Sequence, residues 1–176
     1  MKNGKTCSFF GHRKINADDK LREKVSKTIE FLITEKGVEN FLFGSKSEFN
    51  SVCHVETQLL KKKYPFITRG AYTCKSEGCN LESKREENER MYFMIYKREV
   101  ELLWVDEEVN FKNKCVAGKS GYIQRNYAMI DDSDYCVFYY DKKLCEQSKV
   151  KSGTETAYEY ARKKGKIIII LAENNT

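Results

Sequence analysis

The stretch from Gly153 to Leu171 reads GTETAYEYARKKGKIIIIL. Its first part, Gly153–Lys164, reads as a helix, and Ser152 just before it is an N-cap whose bond Glu155 returns, a Ser-x-x-Glu capping box. Its second part, Lys166–Leu171, reads as a strand. The run Ile167-Ile168-Ile169-Ile170-Leu171 has no polar interruption, the pattern of a strand covered on both faces. A helix feeding a doubly covered strand belongs to a parallel sheet with helices on either side.

Working outward, the same alternation runs through the chain. Thr6–Phe10 is the first strand. Asn16 is placed to cap a helix from about Ala17 to Lys36, with Leu21, Val25, Ile29, Leu32 and Ile33 at helical period. Asn40–Phe43 is the second strand, followed by a helix to about Lys63 with Phe49, Val52, Leu59 and Leu60 inward. Pro65–Thr68 is a short third strand. Gly70–Lys84 reads as a polar excursion, Arg85–Arg98 as a helix, Val100–Val105 as a strand and Asp106–Lys119 as a loop. Ser120–Ile130 is a helix and Tyr135–Tyr140 a strand. The 176 residues, with one proline and no Gly/Ser-rich linker, thus predict a single Rossmann-like three-layer α/β domain with a mainly parallel sheet and helices on both faces.

Composition bounds the function. Hydrophobic residues make up 40% and charged residues 33% of the chain, which suits a soluble globular domain. No apolar run approaches the roughly 20 residues of a membrane helix, and Met1–Thr6 lacks a signal-peptide core, so a cytoplasmic protein is expected. The seven cysteines are irregularly spaced. Cys74 and Cys79 have no second pair to complete a zinc site, so no metal is expected. Cys7, Cys53 and Cys136 lie in apolar stretches as core residues. The net charge of +6 suits an anionic ligand or a lysine-rich surface. Lys61-Lys62-Lys63 closes a helix, where lysines favour the negative end of the dipole.

In an open parallel sheet, ligands bind beyond the carboxyl ends of the strands. The conspicuous glycine and polar residues follow strands: Gly11-His12-Arg13, Gly44-Ser45, and Ser152-Gly153-Thr154 after the strand at Tyr135–Tyr140. Arg125 and Asn126 open the helix that descends into that strand. Ser45 to Glu48 reads as a second capping box, and a helix N-terminus of this kind is also an anion site. His12-Arg13 is placed to clamp a phosphate or ribose. Cys53 and His54, adjacent on a helix, point apart and form no catalytic pair.

These segments in this order resemble the YpsA/YoqJ-like branch of the SLOG superfamily. Phe9-Phe10-Gly11-His12-Arg13, Phe41-Leu42-Phe43-Gly44, the block from Arg125 through Asn126 to Ser133-Asp134, and Ser152-Gly153-Thr154 with Ala157 and Ala161 carry the resemblance. It spans nearly the whole chain except the excursion. It implies a Rossmann-like domain that binds a nucleotide, nucleotide sugar or ADP-ribose-like ligand and takes no cofactor. By it, Gly11, His12, Arg13, Gly44, Ser45, Arg125, Asn126, Asp134, Ser152, Gly153 and Thr154 become ligand-binding residues. Arg125 would meet phosphate, the Gly153 and Thr154 amides would cradle it, and Asn126 would bond a ribose or base edge.

The related LOG phosphoribohydrolases carry a glutamate where Ala157 stands, and Asn50 replaces an aspartate frequent in relatives. Both departures point from enzyme toward a sensor or sequestering module. A nucleotide N-glycosidic hydrolase, with Glu155 or Asp131 as acid or base, is the alternative. Single-stranded nucleic-acid binding, as in the distantly similar DprA proteins, is a further one. The 11 tyrosines permit stacking, but no basic stripe interleaves with aromatics along the sequence. Self-association into a homo-oligomer is expected, with Tyr158 and Tyr160 as contact residues.

Overall fold

A computed structural model describes residues 4–44, 47–72, 119–140 and 152–171. Five strands, β1 (Lys5–Gly11), β2 (Val38–Phe43), β3 (Thr68–Ala71), β4 (Tyr135–Tyr139) and β5 (Ile167–Ile170), alternate with four helices. The helices are α1 (Asp19–Lys36), α2 (Glu48–Lys61), α3 (Lys119–Asp131) and α4 (Gly153–Lys163). The strands form one parallel sheet in the order β3-β2-β1-β4-β5. The three-layer expectation holds, because α1 packs with α2 and α3 with α4, on opposite faces.

The alternation of strand side chains explains the two layers. Phe9, Phe41, Phe43 and Val137 face one way, onto Leu21, Val25, Ile29, Leu32 and Ile33 of α1 and Phe49 and Val52 of α2. Their neighbours Phe10, Leu42, Cys136 and Phe138 face the other way, onto Met129 and Ile130 of α3 and Ala157 and Ala161 of α4. Phenylalanines stack across strands on both sides. Phe9 lies 5.2 Å from Phe43 and Phe10 4.9 Å from Phe138, each pair contributing about 1 kcal/mol beyond area burial. The alanines of α4 let that helix sit close to the sheet, and both are fully buried. Cys7, Cys53 and Cys136 are buried free thiols. Burial pushes all three above the ordinary range, Cys136 to about 11, so they are core residues.

Several boundaries differ from the sequence reading. Asp18, not Asn16, caps α1, its carboxylate accepting from the Leu21 amide at 2.8 Å. Ser47, not Ser45, caps α2, accepting from Asn50 N at 3.3 Å. The carboxylate of Glu48 accepts from Ile15 N at 2.8 Å, so the Ser45–Glu48 capping box is displaced by a tertiary contact. The third strand begins at Thr68, three residues later than expected. Tyr64–Ile67 is a turn closed by Ile67 N donating to Tyr64 O, and it is braced by Lys61 Nζ on Ile67 O. Gly70 and Ala71 therefore belong to β3 rather than to the excursion.

The Ile167–Ile170 run is an edge strand in the described sheet. Ile169 packs against one layer and Ile168 against the other, while Ile167 and Ile170 are 53% and 47% exposed, so the double cover expected there is partial. The expected helix 85–98, strand 100–105 and excursion beyond Tyr72 lie outside the described residues, as does the loop expected over 106–119 except for Lys119, which begins α3. No described helix is long and apolar enough to cross a membrane.

Candidate functional site

The strand order reverses at β1. The chain leaves β1 toward β2 on one side, and β4 joins it on the other. The crevice at the carboxyl ends of β1 and β4 is where such sheets bind ligands. Gly11 at the end of β1 lies beside Tyr139 at the end of β4. A Cβ on Gly11 would come within 2.5 Å of the Phe49 side chain, so glycine lets the first turn of α2 close over the strand end.

The loop after β1 is strapped to that same turn. Ser47 Oγ donates to His12 O at 3.1 Å, Glu48 N donates to Arg13 O at 3.1 Å, and Ile15 N bonds the Glu48 carboxylate. Asn50 Oδ1 accepts from Gly44 N at 2.9 Å. The amides of Gly44, Glu48 and Asn50 thus serve the protein's own oxygens, and the anion-site reading of this helix end is displaced. Ser45 lies outside the described residues. Asn50 holds the turn through its bond from Gly44 N.

Above this base two groups of side chains meet. In the first, α3 brings Tyr122 and Arg125 to the edge, three residues apart on one face of the helix. The guanidinium of Arg125 lies 5.1 Å from the Tyr122 ring centre, and that of Arg13 lies 6.0 Å from the same ring. Arg125 is 8% exposed. Its Nε and Nη2 donate to Asn126 Oδ1 at 3.3 and 3.0 Å. A Cβ on Gly44 would stand 2.9 Å from Arg125 Nη2, so the glycine at the end of β2 makes room for the guanidinium.

The second group is aromatic. The His12 ring lies 6.4 Å from both Tyr139, edge-on, and Tyr140, at 24°. Tyr140 stacks on Tyr158 of α4 at 5.4 Å and 3°. Tyr139 stacks on Phe49 at 5.4 Å. The aromatic and basic groups are joined through the adjacent residues His12 and Arg13.

The fold therefore brings Gly11, His12, Arg13, Gly44, Arg125 and Asn126 to one edge. Ser152 caps α4 at this edge, accepting from Glu155 N at 3.0 Å. Thr154 is buried and Gly153 exposed, with open space where a Cβ would lie. Asp134 is placed elsewhere. It starts β4 at the opposite end of the sheet, its Oδ2 accepting from Thr6 N at 2.9 Å while its own N–H donates to Thr6 O at 2.8 Å.

Asp131 also lies at that far end, ion-paired to Lys164 at 3.1 Å and accepting from the Tyr160 hydroxyl. Six residues of helix, roughly 9 Å of rise, separate it from Arg125. The two tyrosines expected at a subunit contact are committed within the chain: Tyr158 to Tyr140 and Phe138, Tyr160 to Tyr127 at 3.8 Å.

Sequence reasoning missed Tyr122, Tyr139 and Tyr140 and assigned Tyr158 elsewhere. It also found no basic–aromatic interleaving, because that interleaving is spatial and joins β1, α3, β4 and α4. The position of Tyr122 one turn before Arg125 and the Tyr-Tyr pair closing a strand were the available signals. Among the described residues no cluster of histidine, cysteine or carboxylate side chains is arranged to hold a metal.

No protein-family model matches the chain, and no curated protein matches it. Among solved structures it is similar to DNA processing protein A from Helicobacter pylori, described for its single-stranded DNA binding mode. The two are 13% identical, with a TM-score of 0.57, over 97% of this chain and 66% of that one. They share a fold. This chain spans just under two thirds of that protein's length.

Proposed function

We propose that this chain binds a nucleotide-derived ligand in the crevice between β1 and β4, as a sensor or sequestering module of the SLOG type. ADP-ribose-like compounds, nucleotide sugars and cyclic nucleotide signals are the classes that fit. One observation carries the reading: a buried guanidinium, Arg125, shares an edge with the ring stack His12–Tyr140–Tyr158. Arginine presents paired N–H donors to phosphate, and stacked rings offer faces to a base. Of the two carboxylates considered for catalysis, Asp131 lies at the far end of the sheet in its ion pair with Lys164 and Glu155 lies in the first turn of α4, so binding without turnover is the simpler reading.

The test is a thermal-shift and calorimetric panel of nucleotides, ADP-ribose and cyclic dinucleotides. At a hundred times its Kd a ligand stabilises by about 2.7 kcal/mol, several degrees in Tm for a domain of this size. Arg125→Ala is expected to cut affinity at least about tenfold, the cost of a charge-assisted bond pair. A panel in which nothing shifts the wild-type melt overturns the reading.

Single-stranded nucleic acid is the second reading, favoured by the spatial interleaving of Arg13 and Arg125 with Tyr122 and by the fold shared with the DNA-binding protein above. Oligonucleotide anisotropy with a steep salt dependence, log K falling about 0.7 per log salt for each phosphate contacted, would select it.

A further inference from the structure

Resting on the proposed nucleotide site, we infer that Glu48 is a positioning residue of that site, its carboxylate acting on the ligand only through the loop that presents His12 and Arg13. The connection 12–18 between β1 and α1 holds no helix or strand, so its backbone groups need partners from elsewhere in the fold. Three of them find partners on two consecutive residues at the start of α2. Ser47 Oγ donates to His12 O at 3.1 Å, Glu48 N donates to Arg13 O at 3.1 Å, and Ile15 N donates to Glu48 Oε2 at 2.8 Å. The bonds bracket Arg13 on both sides. Glu48 supplies two of them, and its carboxylate bond is the shortest of the three and charge-assisted.

The same turn of α2 fixes the neighbouring strand ends. The Phe49 side chain lies 2.5 Å from where a Cβ on Gly11 would stand, and Asn50 Oδ1 accepts from Gly44 N at 2.9 Å. The loop is therefore held in place relative to the ends of β1 and β2, and a ligand meeting it already ordered loses less conformational entropy on binding. The tasks of the two loop-bonding residues differ. Ser47 Oγ also accepts from Asn50 N as the cap of α2, so its loss disturbs the helix itself. The Glu48 carboxylate bonds the loop and can be removed with the cap in place. Positioning also has its own sign. A carboxylate that faced an anionic ligand directly would repel it, and deleting the side chain would tighten binding; a carboxylate that orders the loop weakens binding when deleted.

The experiment titrates ADP-ribose into the full chain by calorimetry and follows exchange of the Ile15 amide in the ligand-free protein by NMR. Glu48→Ala is expected to weaken ADP-ribose about tenfold, the ordering cost of roughly one residue of backbone. It is also expected to speed exchange at Ile15 by about tenfold or more, as the bond that closes the loop is lost. Glu48→Gln keeps an accepting oxygen and is expected to restore both readouts to within about twofold of wild type. Ile33→Val, a buried change in α1 that lowers the melting temperature by about a few degrees, is expected to leave ADP-ribose affinity within about twofold, which separates loop placement from stability. A Glu48→Ala variant that binds as tightly as wild type, or more tightly, overturns the inference. So does a Glu48→Gln variant as weak as Glu48→Ala, or an Ile33→Val variant that loses as much affinity. A wild-type chain that does not bind ADP-ribose removes the underlying reading and the inference with it, a result distinct from wild-type binding that is indifferent to Glu48.

Discussion

Individual residues show how the fold spends polar groups in its interior. His54 of α2 is buried, stacked on Phe43 at 4.6 Å, with its Nε2 2.9 Å from Arg69 Nη1. Since the guanidinium only donates, Nε2 accepts and the imidazole is neutral. Burial, reinforced by the Arg69 charge, holds its pKa well below the ordinary range. The sign for stability follows. As pH falls below about 6.5 the unfolded imidazole takes up a proton that the folded one refuses, so the unfolded state gains. Stability is complete above that pH and declines below it, by up to about 1.4 kcal/mol per pH unit from this group. Denaturant unfolding between pH 5 and 7.5 is expected to show a shallower decline in His54→Gln than in wild type. Equal slopes would assign the decline to other groups. His54 and Arg69 were not legible as a pair in the sequence, because fifteen positions separate them and they lie on two different elements.

The elements divide by how local their cause is. α1 was readable from Leu21 to Ile33 because one face of a helix carries its whole signal, and Gly37 ends it with φ of 68°, a conformation glycine adopts without strain. The start of α2 was not readable, because Glu48 bonds a loop that begins at the end of a different strand. The apolar Pro65-Phe66 resembles a strand start, but Phe66 is 55% exposed and the ladder begins after it. Asp134 belongs to this scale as well. Its side chain clamps the start of β4 to the start of β1, at the end of the sheet away from the arginines. Asp134→Ala is expected to lower stability by about 1 kcal/mol through the lost bond to Thr6 N, and to leave nucleotide affinity unchanged. A tenfold loss of affinity would instead return Asp134 to the site.

For the molecule as a whole, a parallel sheet was implied by alternating strands and helices, but the order of its strands was not. Four isoleucines read the same in the centre of a sheet as at its rim, since hydrophobicity records burial pressure and not which neighbour supplies it. Ile167 and Ile170 leave one exposed β-branched side chain on each face of a strand at the edge of the described sheet, and an apolar edge strand is the kind of surface that drives association unless charged. Sedimentation at rising concentration is expected to show self-association that Ile170→Lys weakens, with little change in the melting temperature. A wild-type chain that stays monomeric throughout would contradict this. The candidate site was legible where it depends on strand ends, as for Gly11, His12 and Gly44, and at Arg125 of α3. It was illegible where it depends on rings contributed by α3, β4 and α4, each of which alone looks like core.

The central place of β1 has a further consequence, for assembly in time. Its bonds to β2 join residues some thirty-five positions apart, while Thr6 and Asp134 are separated by 128. Contacts of short separation form sooner than distant ones, so a nascent chain has β1, α1, β2, α2 and β3 in hand well before β4 is synthesised. Arg13 and His12 then wait on an open rim. Only when the later half docks do Tyr122, Arg125 and Tyr140 reach them. The crevice is therefore a seam between early and late halves of the polypeptide, and a molecule lodged in it favours the finished chain over every partly assembled one.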